Sequence, residues 1–81
     1  MQTAVPIELS ARDRAILRAV GRGRAAFPRG AGTALEVDGR CCCDQVAAHR
    51  LVQEGLVAPG DGSGPRVPAV LTPAGGRALA D

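Results

Sequence analysis

Apolar residues recur along this chain in two rhythms, one of three to four residues and one of two, and the switches between them mark its elements. The most regular stretch is DQVAAHRLVQEGLV, Asp44 to Val57. At about 100° per residue, Ala47, Ala48, Leu51 and Val52 share one side of a helix, while Gln45, His49, Arg50 and Gln53 share the other with Val46 among them. Asp44 fits an N-cap, where a carboxylate accepts an orphan amide, and Gly55 fits the position after the C-cap, where a left-handed conformation costs glycine little. The pattern predicts a helix of about three turns over 44–54, followed by a strand.

An earlier helix opens at Ser10. SARD matches the capping-box pattern, although Asp13 reaches back less well than Glu would. The helix should run to about Val20, with Leu9, Ile16, Leu17 and Val20 on its buried side. Arg14, Arg18 and Arg22 stand at i, i+4 and i+8 on a different face, a stripe of three positive charges. Gly21 and Gly23 end it, and RGRAAFPRGAG reads as a turn-rich connection with Phe27 tucked into the core.

Period-two patterning takes over in TALEVDGRCCC. Leu35 and Val37 alternate with polar residues, and Asp38-Gly39 is a two-residue hairpin signal, predicting strands at about 33–37 and 40–42. Leu56 to Ala58 reads as another strand, PGDGSGP as a tip of turn formers, and Arg66 to Leu71 as the returning strand. Pro68 places that strand at an edge, since it has no amide to give a ladder. Thr72 then caps a last helix with Pro73 at its first position; Gly75 and Gly76 weaken it, and Ala78 and Leu79 anchor it. The fold class is α+β, a single small domain over 1–81 in the order helix, β-hairpin, helix, two-stranded wing, helix.

RLVQEGLV, the Gly-rich loop and LTPAGGRAL together resemble the second half of a bacterial winged helix-turn-helix domain, over roughly Asp44 to Ala80. Leu51, Gly55 and Leu56 fit the Leu and Gly-Leu exit of the recognition helix in that family. One departure is visible: the family's short positioning helix is replaced by the 33–42 hairpin. The whole order is also similar to small YjhX-type bacterial proteins, described as candidate toxins or topoisomerase-directed factors, which warns that such a scaffold need not bind DNA.

Composition narrows the classes. The 81 residues bury a modest core, so a homodimer is a reasonable expectation. Phe27 is the only aromatic residue, which argues against binders that stack bases on aromatic rings. All ten basic residues are Arg, a bias that fits a GC-rich genome, and the net charge of +2 is small but uneven. Six Arg between Arg12 and Arg29 meet the single acid Asp13. The chain shows neither a membrane-length apolar run nor a signal pattern, which predicts a cytoplasmic location with reduced thiols.

On the exposed side of the central helix, Gln45, His49, Arg50 and Gln53 have the chemistry for a major groove, since Arg pairs with guanine and Gln with adenine. An ordinary solvated face would carry the same residue types. Arg66, at the base of the wing, is placed for a minor groove or a phosphate, as wing residues are in the family this resembles. Arg14, Arg18, Arg22 and Arg24 can neutralise phosphates or meet an acidic protein partner. Cys41, Cys42, Cys43 and His49 are metal-ligand types, but three consecutive strand residues cannot converge, so small apolar filling is the expected role and no metal or cofactor is expected. Neither a nucleophile turn nor a phosphate loop is present, so catalysis is not expected. The sequence thus predicts a DNA-binding transcriptional regulator with helix 44–54 in the major groove of double-stranded DNA. The alternative is a protein-interaction module, an adaptor, inhibitor or toxin-like factor, on the same scaffold.

Overall fold

A computed structural model describes residues 9–30, 34–42, 44–62 and 64–80. In chain order it contains α1 (Ala11–Gly21), β1 (Ala25–Pro28), β2 (Glu36–Val37), β3 (Arg40–Cys41), α2 (Gln45–Gln53), β4 (Val57–Pro59), β5 (Arg66–Leu71) and α3 (Pro73–Ala80). The class is α+β: three helices and one five-stranded antiparallel sheet of order β3-β2-β1-β5-β4. The sequence predicted a separate hairpin and wing. Strand β1 joins them, pairing with β2 on one side and β5 on the other.

That strand lies where a turn-rich connection was expected, and its proline helps explain why it was obscured. Arg29 donates to Pro65 O at 2.8 Å, and Asp38 donates to Arg24 O at 2.8 Å. Antiparallel bonding alternates, so the amides of Ala25 and Phe27 point toward β5 and that of Ala26 toward β2. Pro28 continues the second series, and its missing N–H coincides with the end of β1–β2 pairing at Ala26↔Glu36. Phe27 is buried, as expected of the lone aromatic in this stretch.

The same logic corrects the position of β5. Pro68 implied an edge, yet β5 lies between β1 and β4. Its first half, Arg66 to Pro68, pairs with β1, and its second half, Ala69 to Leu71, pairs with β4. Gly60 donates to Pro68 O at 2.7 Å. Alternation puts the proline nitrogen opposite Gly60, where the β4 ladder has ended, so no central bond is lost. The true edges are β3 and β4, of two and three residues. The predicted hairpin forms on Asp38 and Gly39, at φ 55° and 79°, the two positive values of a type I′ turn. Its strands are shorter than the predicted 33–37 and 40–42, and Thr33 lies outside the described residues.

All three helices border one core. Leu17 and Leu51 are fully buried, and Leu35 and Leu56 are nearly so. Each such leucine contributes about 1.5–3 kcal/mol. Leu9, Val52, Ala78 and Leu79 pack against the cluster as partly buried residues, and so does Cys42. Cys41, by contrast, is exposed, so apolar filling does not describe it; Cys43 lies outside the described residues. Helices α1 and α2 both end in Schellman motifs. In α2, Leu56 donates to Leu51 O and Gly55, at φ 78°, donates to Val52 O, each at 3.0 Å.

The end of α2 and the start of α3 are tied together. Thr72 Oγ1 donates to Gly55 O at 2.6 Å and accepts from Gly75 N at 3.0 Å, capping α3 as predicted. Gly75, expected only to weaken α3, permits this junction: a Cβ there would lie 2.0 Å from Leu56 O. At Gly76 a Cβ would meet nothing within 4 Å. Gly76→Ala should therefore raise stability by about 0.5–1 kcal/mol. Gly75→Ala should lower it by about 2–3 kcal/mol, as forced overpacking does. Urea melts of the two variants check this; equal shifts would show that the helix does not approach so closely.

Candidate nucleic-acid or partner interface

The candidate site is the outward side of α2, and its position is set by contacts behind it. Ser10 caps α1 through a complete capping box: Asp13 N donates to Ser10 Oγ at 3.0 Å, and Ser10 N donates to Asp13 Oδ2 at 2.9 Å. Asp13 is only 2% exposed, and the same oxygen also accepts from Arg50 Nη2 on α2. Burial pushes the Asp13 pKa up. The hydrogen bonds from the Ser10 amide and from Arg50, with that cation's charge, outweigh it and hold the pKa below the ordinary carboxylate value.

Arg50 therefore does not project from α2 as a free groove contact; its guanidinium neutralises a buried carboxylate on α1. Gln45 departs further from expectation. Its Nε2 donates to Leu35 O and Cys42 O, each at 2.9 Å, and its Oε1 accepts from Leu35 N at 3.0 Å. The side-chain amide behaves as a neighbouring peptide would and fastens the open base of the β2–β3 hairpin to α2. Asp44 caps α2 through a 2.9 Å bond from Ala47 N and pairs with Arg12 at 3.1 Å. The Ala47 amide first, then Arg12, lowers its pKa.

The outward side of α2 also carries Val46, His49 and Gln53. All three are exposed, and Val46 is the most exposed large apolar residue described, at 81%. At i, i+3 and i+7 they form one row. Helical periodicity places Val46 among the polar residues, and its exposure is the signal that the pattern contained. Among the described residues, the β4–β5 hairpin contributes no exposed row of cations. Arg66 lies on the outer face of the sheet and donates to Glu36 Oε1 at 2.7 Å. Arg29 reaches across to the β4–β5 loop, donating to Gly62 O at 2.8 Å and Gly64 O at 2.9 Å.

The arginines thus separate by occupation. Arg12, Arg24, Arg50 and Arg66 pair with Asp44, Asp38, Asp13 and Glu36. Arg24, expected to meet phosphate or a partner, instead holds the hairpin turn, and its hydrogen bonds lower the Asp38 pKa. Among the described residues, no carboxylate is within ion-pair distance of Arg14, Arg18, Arg22, Arg40 or Arg77. No group of three His, Cys, Asp or Glu gathers as a metal site among those residues. None of the described helices is long and apolar enough to cross a membrane. The sequence matches no family model and no curated protein, and the fold matches no solved structure.

The buried pair generates a pH dependence. A lowered folded pKa for Asp13 means its stabilisation is full above the unfolded value of about 3.9 and is lost as pH falls through the folded pKa. Denaturant melts from pH 7 to pH 2 should show this loss in the native protein and a flatter acid limb in Asp13→Asn. At pH 7, Arg50→Ala should cost about 1.5–3 kcal/mol, the scale of a charged hydrogen bond, because Asp13 keeps only the Ser10 amide as a donor. An unchanged acid limb in Asp13→Asn would mean that other carboxylates govern it.

Proposed function

We propose that this chain is a winged-helix-like domain that binds double-stranded DNA, with α2 as its reading helix and β4–β5 as its wing, in transcriptional regulation. The observation that carries the reading is the outward row of Val46, His49 and Gln53 on a helix fixed from behind. Four tethers hold that helix and its caps: Arg12 to Asp44, Asp13 to Arg50, Gln45 to the hairpin base, and Thr72 to Gly55. A rigid helix with an open face suits a major groove, which admits one helix and presents a distinct pattern at each base pair. Val46 brings apolar contact for a thymine methyl, and Gln53 offers a bidentate amide for adenine.

One observation favours the other reading, a protein-interaction module. The sole arginine of α2 is committed to Asp13, which leaves the helix's outward row poor in charge. Contact through that row would then rest on Val46 and polar neighbours, as at the centre of a protein interface.

Fluorescence anisotropy against random-sequence and genomic duplexes, across a salt series, separates the two. DNA binding predicts an affinity that falls linearly with log salt concentration, and a sequence-dependent component. His49→Ala and Gln53→Ala should each reduce the sequence-specific component by about tenfold, the scale of a base contact. Their binding to random duplex should change little. Absence of binding to any duplex at low salt would reject DNA recognition.

A further inference from the structure

The first helix carries an unused surface. Its inward residues include Asp13, Ile16, Leu17 and Val20, and its N-terminal part faces α2 through Arg12 to Asp44 and Asp13 to Arg50. At about 100° per residue, Arg14, Arg18 and Arg22 lie between about 100° and 180° round the axis from Asp13. They point away from α2. Arg18 and Arg22 are exposed and Arg14 is partly so. Beside them run Ala11 and Ala15, also exposed, at i and i+4.

The division of labour among the arginines gives this row its meaning. Four arginines neutralise acids of the chain and a fifth binds loop carbonyls. Three of those left without a described carboxylate follow one line, Arg14 and Arg18 on a face of α1 and Arg22 at its C-cap, about 6 Å apart along the axis. The small side chains of Ala11 and Ala15 leave a shallow track next to the charges, where another helix can approach closely.

We propose that this face of α1 docks an acidic amphipathic helix of a partner protein. Carboxylates at i, i+4 and i+8 of that helix would meet Arg14, Arg18 and Arg22, and its spine would lie along Ala11 and Ala15. The repeat of about 6 Å is common to both helices, so three pairs form in one register. Because the face points away from α2, docking leaves the reading row open. The inference therefore goes beyond the proposed function and does not depend on it.

The test uses the full chain and two synthetic peptides of about 16 residues, one with Glu at i, i+4 and i+8 of a helix and one of the same composition scrambled. Calorimetry at low salt should show binding of the patterned peptide and about tenfold weaker binding of the scrambled one. Arg14→Gln, Arg18→Gln and Arg22→Gln combined should weaken the patterned peptide by about tenfold or more, whereas Arg40→Gln with Arg77→Gln changes it by less than about twofold. Ala15→Gln, which is neutral and compatible with a helix, should also weaken it by obstructing the track. Circular dichroism confirms that each variant is folded.

Failure of the patterned peptide to bind, equal binding of the scrambled peptide, or indifference to the triple variant overturns the proposal. So does tighter binding of a duplex that the triple variant abolishes, which would assign the row to phosphates. The α2 variants His49→Ala and Gln53→Ala report only on groove reading, so the two ideas fail separately.

Discussion

A carboxylate almost wholly removed from water is the constraint around which the helices are arranged. Asp13 cannot remain ionised at 2% exposure without donors, and the fold supplies the Ser10 amide from its own cap and Arg50 from a second helix. The first contact fixes where α1 begins. The second fixes how α2 is rotated against it, because Arg50 must face Asp13 while Leu51 enters the core. With the rotation set, Val46, His49 and Gln53 lie on the exposed side of α2. Gln45 and Thr72 then fasten the two ends of α2 to the hairpin and to α3.

Much of the fold was legible where one local rule acted alone. The caps at Ser10, Asp44 and Thr72, the Asp38-Gly39 turn and the full range of β5 follow from short-range patterns, and all are present. Strand β1 was not legible because AAFP sits among glycines and arginines and depends on two neighbours far away in sequence. Pro68 misled for a related reason. The absence of an amide is a statement about one direction in the sheet, and only the register shows which side that direction faces. Gly75 reads locally as a helix weakener, while its use is the approach of Leu56 O.

The candidate site was legible as a face but not as a set of residues. Helical periodicity placed Gln45, His49, Arg50 and Gln53 on the polar side of α2, yet it cannot show whether a long polar side chain turns back. Gln45 folds onto Leu35 and Cys42, and Arg50 folds onto Asp13, because both found buried groups that needed partners. Cys42 is only 3 positions from Gln45, but Leu35 is 10 away and Asp13 is 37 from Arg50. Periodicity already placed Val46 on that outward side, and its 81% exposure agrees, although an apolar residue type by itself pointed to no function.

The margins of the sheet have a consequence for how the molecule behaves at high concentration. One rim, β3, is two residues long and the other, β4, is three, closing on Pro59. Alternation from the Gly60 to Pro68 bond turns residues 57 and 59 outward on that rim, so the proline removes one of its two donors. Arg40 places a cation on the opposite rim. A stray strand from an unfolded neighbour would find too few hydrogen bonds on either side to gain a foothold, which guards the sheet against growth into fibrils.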